Sequence, residues 1–255
     1  MPWLMGSTPI RRISRRALGR ALGRALGRAL GRSLALPLLL VAACRDAPRS
    51  AAADVPYVDA RRLPPGRNAL VPDIMMQAAD RARVLGVDSA PVQMFVISDY
   101  QCPECRVWFD VTLPVIQAEY IKTGKARLTW AHYPLREHPD AVRAASASLC
   151  AGVHGKFWEA SARLFAAQDR WGGATDANVL IDSLANAPGI DAFTFRNCTE
   201  SGRMLRQVRL DIAWADTARV GAPPMLLVGA RRVPGSASLT TLRAAIDSAI
   251  AEVGR

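Results

Sequence analysis

No acidic residue occurs in the first 43 positions, and that absence locates the excess charge of the chain. Eight arginines stand there (Arg11, Arg12, Arg15, Arg16, Arg20, Arg24, Arg28 and Arg32), against a formal net charge of +11 for all 255 residues. Subtracting them leaves +3, a nearly balanced surface that gives no support to a nucleic-acid partner. Long apolar runs are also missing near the N-terminus. Leu34 to Ala43 spans only ten residues, too few to cross a bilayer comfortably and suited to the hydrophobic region of an export signal. Metal-ligand types are scarce: five cysteines, three histidines, no second Cys-x-x-Cys and no paired-histidine motif. Structural zinc, which wants four ligands at matched spacing, is thereby a weak reading.

What is present in residues 1–43 fits a leader. Four tandem Ala-Leu-Gly-Arg units (17–32) form a basic low-complexity segment, and the apolar run stops at Cys44. Ser14-Arg15-Arg16-Ala17-Leu18 is loosely similar to a twin-arginine signal, with the export route left open. Val41-Ala42-Ala43-Cys44 resembles a bacterial lipobox, which implies lipidation of Cys44 and a mature chain beginning there. Residues 44–70, rich in Ala, Pro, Arg and Asp, read as a flexible tether, and residues 71–255 as one folded domain.

Four cysteines remain in that exported part: Cys102, Cys105, Cys150 and Cys198. An oxidising compartment permits disulfides among them. Along the domain, Asp73 to Val84 reads as a helix, Pro91 to Ser98 as a buried strand, and the stretch from the second cysteine to about Lys122 as a helix kinked at Pro114. Ala126 to Tyr133 is the next strand. From Pro139 to Val220 only helices are expected, at about 140–151, 155–168, 176–186, 191–199 and 203–218, with Thr175 and Asp191 as N-caps. Met225 to Val228 and Arg231 to Val233 are strands, and Leu239 to Ile250 closes the chain as an amphipathic helix. This order predicts an α/β layer fold with a helical excursion at about 139–220.

The chemistry centres on Cys102-Pro103-Glu104-Cys105, which leaves a strand and opens a helix. A helix N-terminus offers unpaired N–H groups and the positive end of the dipole, both of which favour thiolate over thiol. Cys105, one turn on, is placed to form a disulfide with Cys102 or to resolve a mixed one. Pro103 suits the first helical turn, where its missing N–H costs nothing. Other readings of the pair are a copper site helped by His132, His138 or His154, and a passive disulfide. The histidines read as ordinary structural residues, and Trp108 as a residue that could shape a peptide-binding surface.

Asp99-Tyr100-Gln101-Cys102-Pro103-Glu104-Cys105 after an apolar strand resembles the active site of the DsbA-like thioredoxin-fold family. The resemblance extends over about 90–250. It includes Tyr133-Pro134-Leu135 with His138, the Ala-rich helix ending in Cys150-Ala151-Gly152, Gly155-Lys156-Phe157-Trp158, and Val220-Gly221-Ala222-Pro223-Pro224-Met225. It implies an α/β thioredoxin-like fold with a central helical insertion. It further implies thiol–disulfide exchange with exported protein substrates, a redox partner that recycles the dithiol, and no organic cofactor. The last segment takes the place of the family's cis-proline loop, with Pro223 as the cis residue and Ala222 before it, both beside the substrate. Export favours a structural Cys150–Cys198 disulfide over two buried free thiols.

Three departures stand out: Ala222 where Thr or Val is usual, no acid within Met94 to Ile97, and Glu104 where strong oxidases carry His. They leave the reaction class intact and its direction open between oxidase and reductase or isomerase. A non-catalytic metal-binding module using the two cysteines is the rival from another class.

Overall fold

The computed structural model describes residues 73–254. Helix α1 (Ile74–Ala82) starts at Asp73, whose carboxylate accepts from the Met75 and Met76 N–H groups and so satisfies two orphan donors. A two-residue edge strand, β1 (Val84–Leu85), follows where the sequence suggested only the end of a helix. The central strands β2 (Val92–Ser98) and β3 (Ala126–His132) run parallel, with Ser98 beside His132. Strands β4 (Met225–Val228) and β5 (Arg231–Pro234) complete the sheet in the order β1-β3-β2-β4-β5. Pairing is antiparallel everywhere except β2–β3. Two parallel neighbours need a crossover, and the helix that carries the cysteines supplies it.

That crossover starts as α2 (Pro103–Val107), widens into a π turn at Trp108–Thr112, tightens as α3 (Leu113–Ile116), and widens again at Gln117–Ile121. The expected kink at Pro114 thus takes the form of a wide turn just before it, closed by the Leu113 N–H on the Trp108 carbonyl. Proline has no N–H to give the preceding turn and its ring crowds it, and a π turn absorbs both.

After β3 come six helices: α4 (Ala141–Val153), α5 (Phe157–Ala166), α6 (Gln168–Trp171), α7 (Ala177–Ala185), α8 (Ala192–Glu200) and α9 (Arg203–Thr217). Helix α10 (Leu239–Val253), capped by Ser238, closes the chain and buries Leu242, Ile246 and Ala249. In α4, Ala141 to Gly152 are almost all buried, because small residues let neighbouring helices approach on every side. A disulfide joins Cys150 of α4 to Cys198 of α8. Asp191 caps α8 through the Thr194 N–H, whereas α7 starts after Asp176 rather than Thr175.

One charged cluster is buried. Arg83 Nη1 donates to Asp211 Oδ2 at 2.5 Å and to the Trp130 carbonyl at 2.8 Å. The His132 backbone N–H and Nδ1 reach the same carboxylate oxygen at 2.9 and 3.0 Å, and Gln207 Nε2 reaches its other oxygen. Burial pushes the His132 pKa down, so this imidazole is neutral. The cluster ties α1, β3 and α9 together, and each buried charge has the partners that burial demands. Over it lies a cavity of about 300 Å³, lined also by Phe95, Leu210 and Trp214, that holds neither cysteine of the Cys-x-x-Cys pair.

Candidate functional site: a dithiol at a helix N-terminus

Strand β2 delivers the chain at Ser98 into a tight turn, and Cys102 is the N-cap of α2 in extended conformation, with Pro103 in the first turn. Gln168 of α6 clamps the turn by donating to the Tyr100 and Cys102 carbonyls at 2.7 and 2.9 Å. Both cysteines are unpaired thiols. Cys102 keeps 4% of its surface and Cys105 none, so a substrate reaches only the first sulfur. The Cys102 pKa is lowered, first by the hydrogen bond from the Cys105 thiol and also by the Cys105 backbone N–H. Burial, Glu104 and Asp99 oppose that shift without reversing it. Burial and the neighbouring Cys102 sulfur push the Cys105 pKa well up. One sulfur is therefore a good leaving group and nucleophile, and the other holds its proton.

Glu104 is solvent-exposed, yet its Oε2 lies 3.3 Å from Cys102 Sγ and accepts from the thiol. That bond exists only in the thiol form and works against thiolate. The opposite wall of the site is the loop before β4. Its cis peptide bond joins Pro223 to Pro224, so Pro224 is the cis residue and Pro223 precedes it. The expectation that Pro223 is cis and Ala222 precedes it is corrected by one position. Pro223 is buried, with its carbonyl oxygen 4.0 Å from Cys102 Sγ, while Ala222 is exposed. The pattern Ala-Pro-Pro offers two candidate bonds, and the local sequence does not distinguish them.

The sequence underrated two residues. Asp99 is 2% exposed, and its carboxylate accepts from the Gln101 N–H at 2.7 Å, the Leu135 N–H at 2.8 Å and His138 Nδ1 at 2.7 Å. Its own N–H donates to Cys105 Sγ at 3.4 Å. The acid missing from the interior of β2 thus stands at its end, in contact with the second cysteine. His138, expected to be merely structural, is brought from the loop after β3 to that carboxylate. The signal available was the sequence Asp99-x-x-Cys102 together with a histidine just after the next strand. Trp108, by contrast, is 1% exposed and belongs to the core rather than to a peptide-binding surface.

Among the described residues no group of three or more His, Cys, Asp or Glu is arranged to hold an ion. No helix of the described residues is long and apolar enough to cross a membrane. Cys44, the leader (1–43) and the whole tether (44–70) lie outside the described residues.

Comparison with known proteins agrees with this geometry. The family described as Thioredoxin matches residues 78–248. A Na(+)/H(+) antiporter NhaA 1 from Salinispora arenicola is 32% identical over 202 residues, covering 75% of this chain and 30% of that protein. The chain thus spans less than a third of that relative's length. A probable disulfide bond formation protein D from Bacillus anthracis is 29% identical, covering 68% of this chain and 80% of that protein. Among solved structures, BdbD from Bacillus subtilis superposes with a TM-score of 0.58 at 23% identity, over 66% of this chain and 92% of that one. DsbA2 of Pseudomonas aeruginosa gives 0.55 at 25% identity, over 66% and 93%. The family model spans residues 78–248 and the fold is like that of the BdbD and DsbA2 structures; the chain belongs to the thioredoxin family.

Proposed function

We propose that this chain is an extracytoplasmic thiol–disulfide oxidoreductase that oxidises exported protein thiols through Cys102 and Cys105. The observation that carries this reading is the opposed pair of sulfurs: Cys102 favoured as thiolate at a helix N-terminus, Cys105 enclosed and favoured as thiol. In the oxidised protein a substrate thiolate attacks Cys102 Sγ, the Cys102–Cys105 bond breaks, and Cys105 leaves and takes a proton. The substrate's second thiolate then attacks its own sulfur in the mixed disulfide and expels Cys102 as thiolate. The substrate loses two electrons and the protein gains them. The Pro223 carbonyl and exposed Ala222 border the approach to Cys102 and would align the incoming peptide. A second redox protein must then reoxidise the dithiol. The name of the Bacillus anthracis relative supports this direction.

The test mixes oxidised full-length protein with a reduced, unfolded protein that needs disulfides. Stoichiometric substrate disulfides should appear together with two new thiols on the enzyme. A couple so reducing that only the reverse reaction runs would sink the oxidase reading in favour of a reductase or isomerase.

Glu104 tunes this couple. With its carboxylate bonded to the Cys102 thiol and facing solvent, removing its charge and adding a donor should raise the potential on the order of 20 mV in Glu104→His. An unchanged or lower potential in that variant would leave the poise to the helix terminus and the loop around Pro223.

The proposed location rests on the leader. Lipidated Cys44 would hold the domain at the periplasmic face of a membrane through the 44–70 tether. Cys44→Ala should lose incorporation of a fatty-acid probe and accumulate uncleaved precursor. A soluble wild-type product with an N-terminus elsewhere overturns the anchor.

A further inference from the structure

Three hydrogen bonds lace the segment after β3 to the turn that presents Cys102. The Tyr133 N–H donates to the Ser98 carbonyl at 2.8 Å, the Leu135 N–H to Asp99 Oδ2 at 2.8 Å, and the Asp140 N–H to Gln101 Oε1 at 2.9 Å. They bring His138 Nδ1 to 2.7 Å from Asp99 Oδ2. The carboxylate is enclosed at the base of the dithiol, touching Cys105 through its own backbone, while the imidazole keeps 18% of its surface and can exchange protons with solvent. Exchange chemistry as proposed above uses neither group. Yet an enclosed carboxylate beside a nascent thiolate is a like-charge conflict unless a cation accompanies it.

We propose, resting on the exchange reading, that the Asp99–His138 pair is a redox-linked proton site: reduction of the Cys102–Cys105 disulfide draws a proton onto His138, whose charge then supports the Cys102 thiolate. His138 is a positioning and charge-compensating residue here, not one that touches substrate. Reduction breaks the S–S bond with two electrons from a substrate dithiol, Cys105 takes one proton, and Cys102 remains thiolate. His138 takes up part of a second proton in the pH interval between its affinities in the oxidised and reduced states. Below that interval it is charged in both states, and above it in neither, so linkage is confined to the interval. The groups acting on the imidazole are Asp99 from the turn, Cys102 and Glu104 from the start of α2, and Glu137 on its own segment.

The electrostatics run in the same sense. The Asp99 hydrogen bond raises the His138 pKa, and the Cys102 charge adds to it. The Glu104 carboxyl is held below its ordinary value by its own backbone N–H and the Cys102 hydrogen bond, with a smaller part from His138, and Asp99 acts against the Cys102 thiolate. The histidine that strong oxidases carry between their cysteines is absent, and this one acts on the same sulfur from a different segment.

The test titrates the His138 ring resonances of the full-length protein by NMR in the oxidised and the reduced state. The midpoint should be higher in the reduced state. Alongside it, the equilibrium with glutathione is measured against pH for the wild type and His138→Asn. The wild type should show an extra proton dependence in the interval defined by the two midpoints, absent from the variant. At pH below the interval the variant should be a weaker oxidant by about threefold, the order expected for one charge acting across several ångströms of half-solvated space. Equal midpoints in the two redox states, or identical pH profiles for the two proteins, overturn the proposal. Should the variant fail to fold, the wild-type titration alone decides. Absence of any reversible equilibrium with glutathione would instead refute the exchange reading itself.

Discussion

Cys102→Ser should reduce disulfide exchange to the uncatalysed background, while Cys105→Ser should accumulate mixed disulfides with its substrates. The asymmetry follows from what each sulfur can do. Removing Cys102 leaves one thiol that is fully buried and held protonated by burial, so no thiolate is presented to a substrate. Removing Cys105 leaves Cys102 at the helix N-terminus, where backbone N–H groups and the helix dipole still favour its thiolate. It loses the hydrogen bond from the Cys105 thiol, the largest of the effects that lower its pKa, so it should attack more slowly than in the wild type. It nevertheless attacks substrate disulfides and then has no neighbour to release it. Non-reducing gels of tagged protein, followed by mass spectrometry of the captured chains, read this directly. Capture by Cys102→Ser and none by Cys105→Ser would reverse the assignment of roles.

The second large effect concerns the clamp between α4 and α8. Cys150 and Cys198 are 48 positions apart, and closing a loop of that length removes unfolded-chain entropy worth about 4 kcal/mol in the chain-entropy account. The double variant Cys150→Ala, Cys198→Ala should therefore lose about 4 kcal/mol. Thermal unfolding should fall by roughly 8–16 °C for a domain of this size. Alanine is the fair replacement because both sites are enclosed and a serine hydroxyl would add a desolvation cost of its own. Peptide mapping without reductant should recover the Cys150–Cys198 crosslink from the wild type. Two free thiols there, or a melting temperature insensitive to the substitution, would show that α4 and α8 are held by packing alone. The clamp lies within the helical insertion, so its loss should weaken folding while sparing the reduction potential of the Cys102–Cys105 couple.

Much of this molecule is written locally. Strand β2 is legible because an apolar, β-branched run ends in a turn, and α8 because Asp191 stands where a cap belongs. The reactive pair is legible because strand, Cys-x-x-Cys and helix follow one another within about fifteen residues, and helix-terminus physics acts at that range. Helical periodicity and glycine punctuation marked the excursion at about 139–220, while the cis-proline loop came from the family resemblance.

Tertiary packing decided what no local window contains. The two residues of β1 are a strand only because β3 offers them an edge. Pro223 and Pro224 are indistinguishable by neighbours, and the contact that separates them comes from Cys102, 121 positions away. Asp99 and His138 are 39 positions apart and unremarkable singly; the parallel pairing of β2 with β3 brings the ends of both strands together and makes them a pair. Trp108 sits on the reactive helix but faces inward, since which side of that helix is covered depends on the sheet beneath it. The sequence by itself determined which cysteine pair stands between strand and helix, and the elements that carry it, because those depend on short-range sterics and dipoles. The surroundings that tune those atoms come from segments joined only by folding, so their identity had to await the fold.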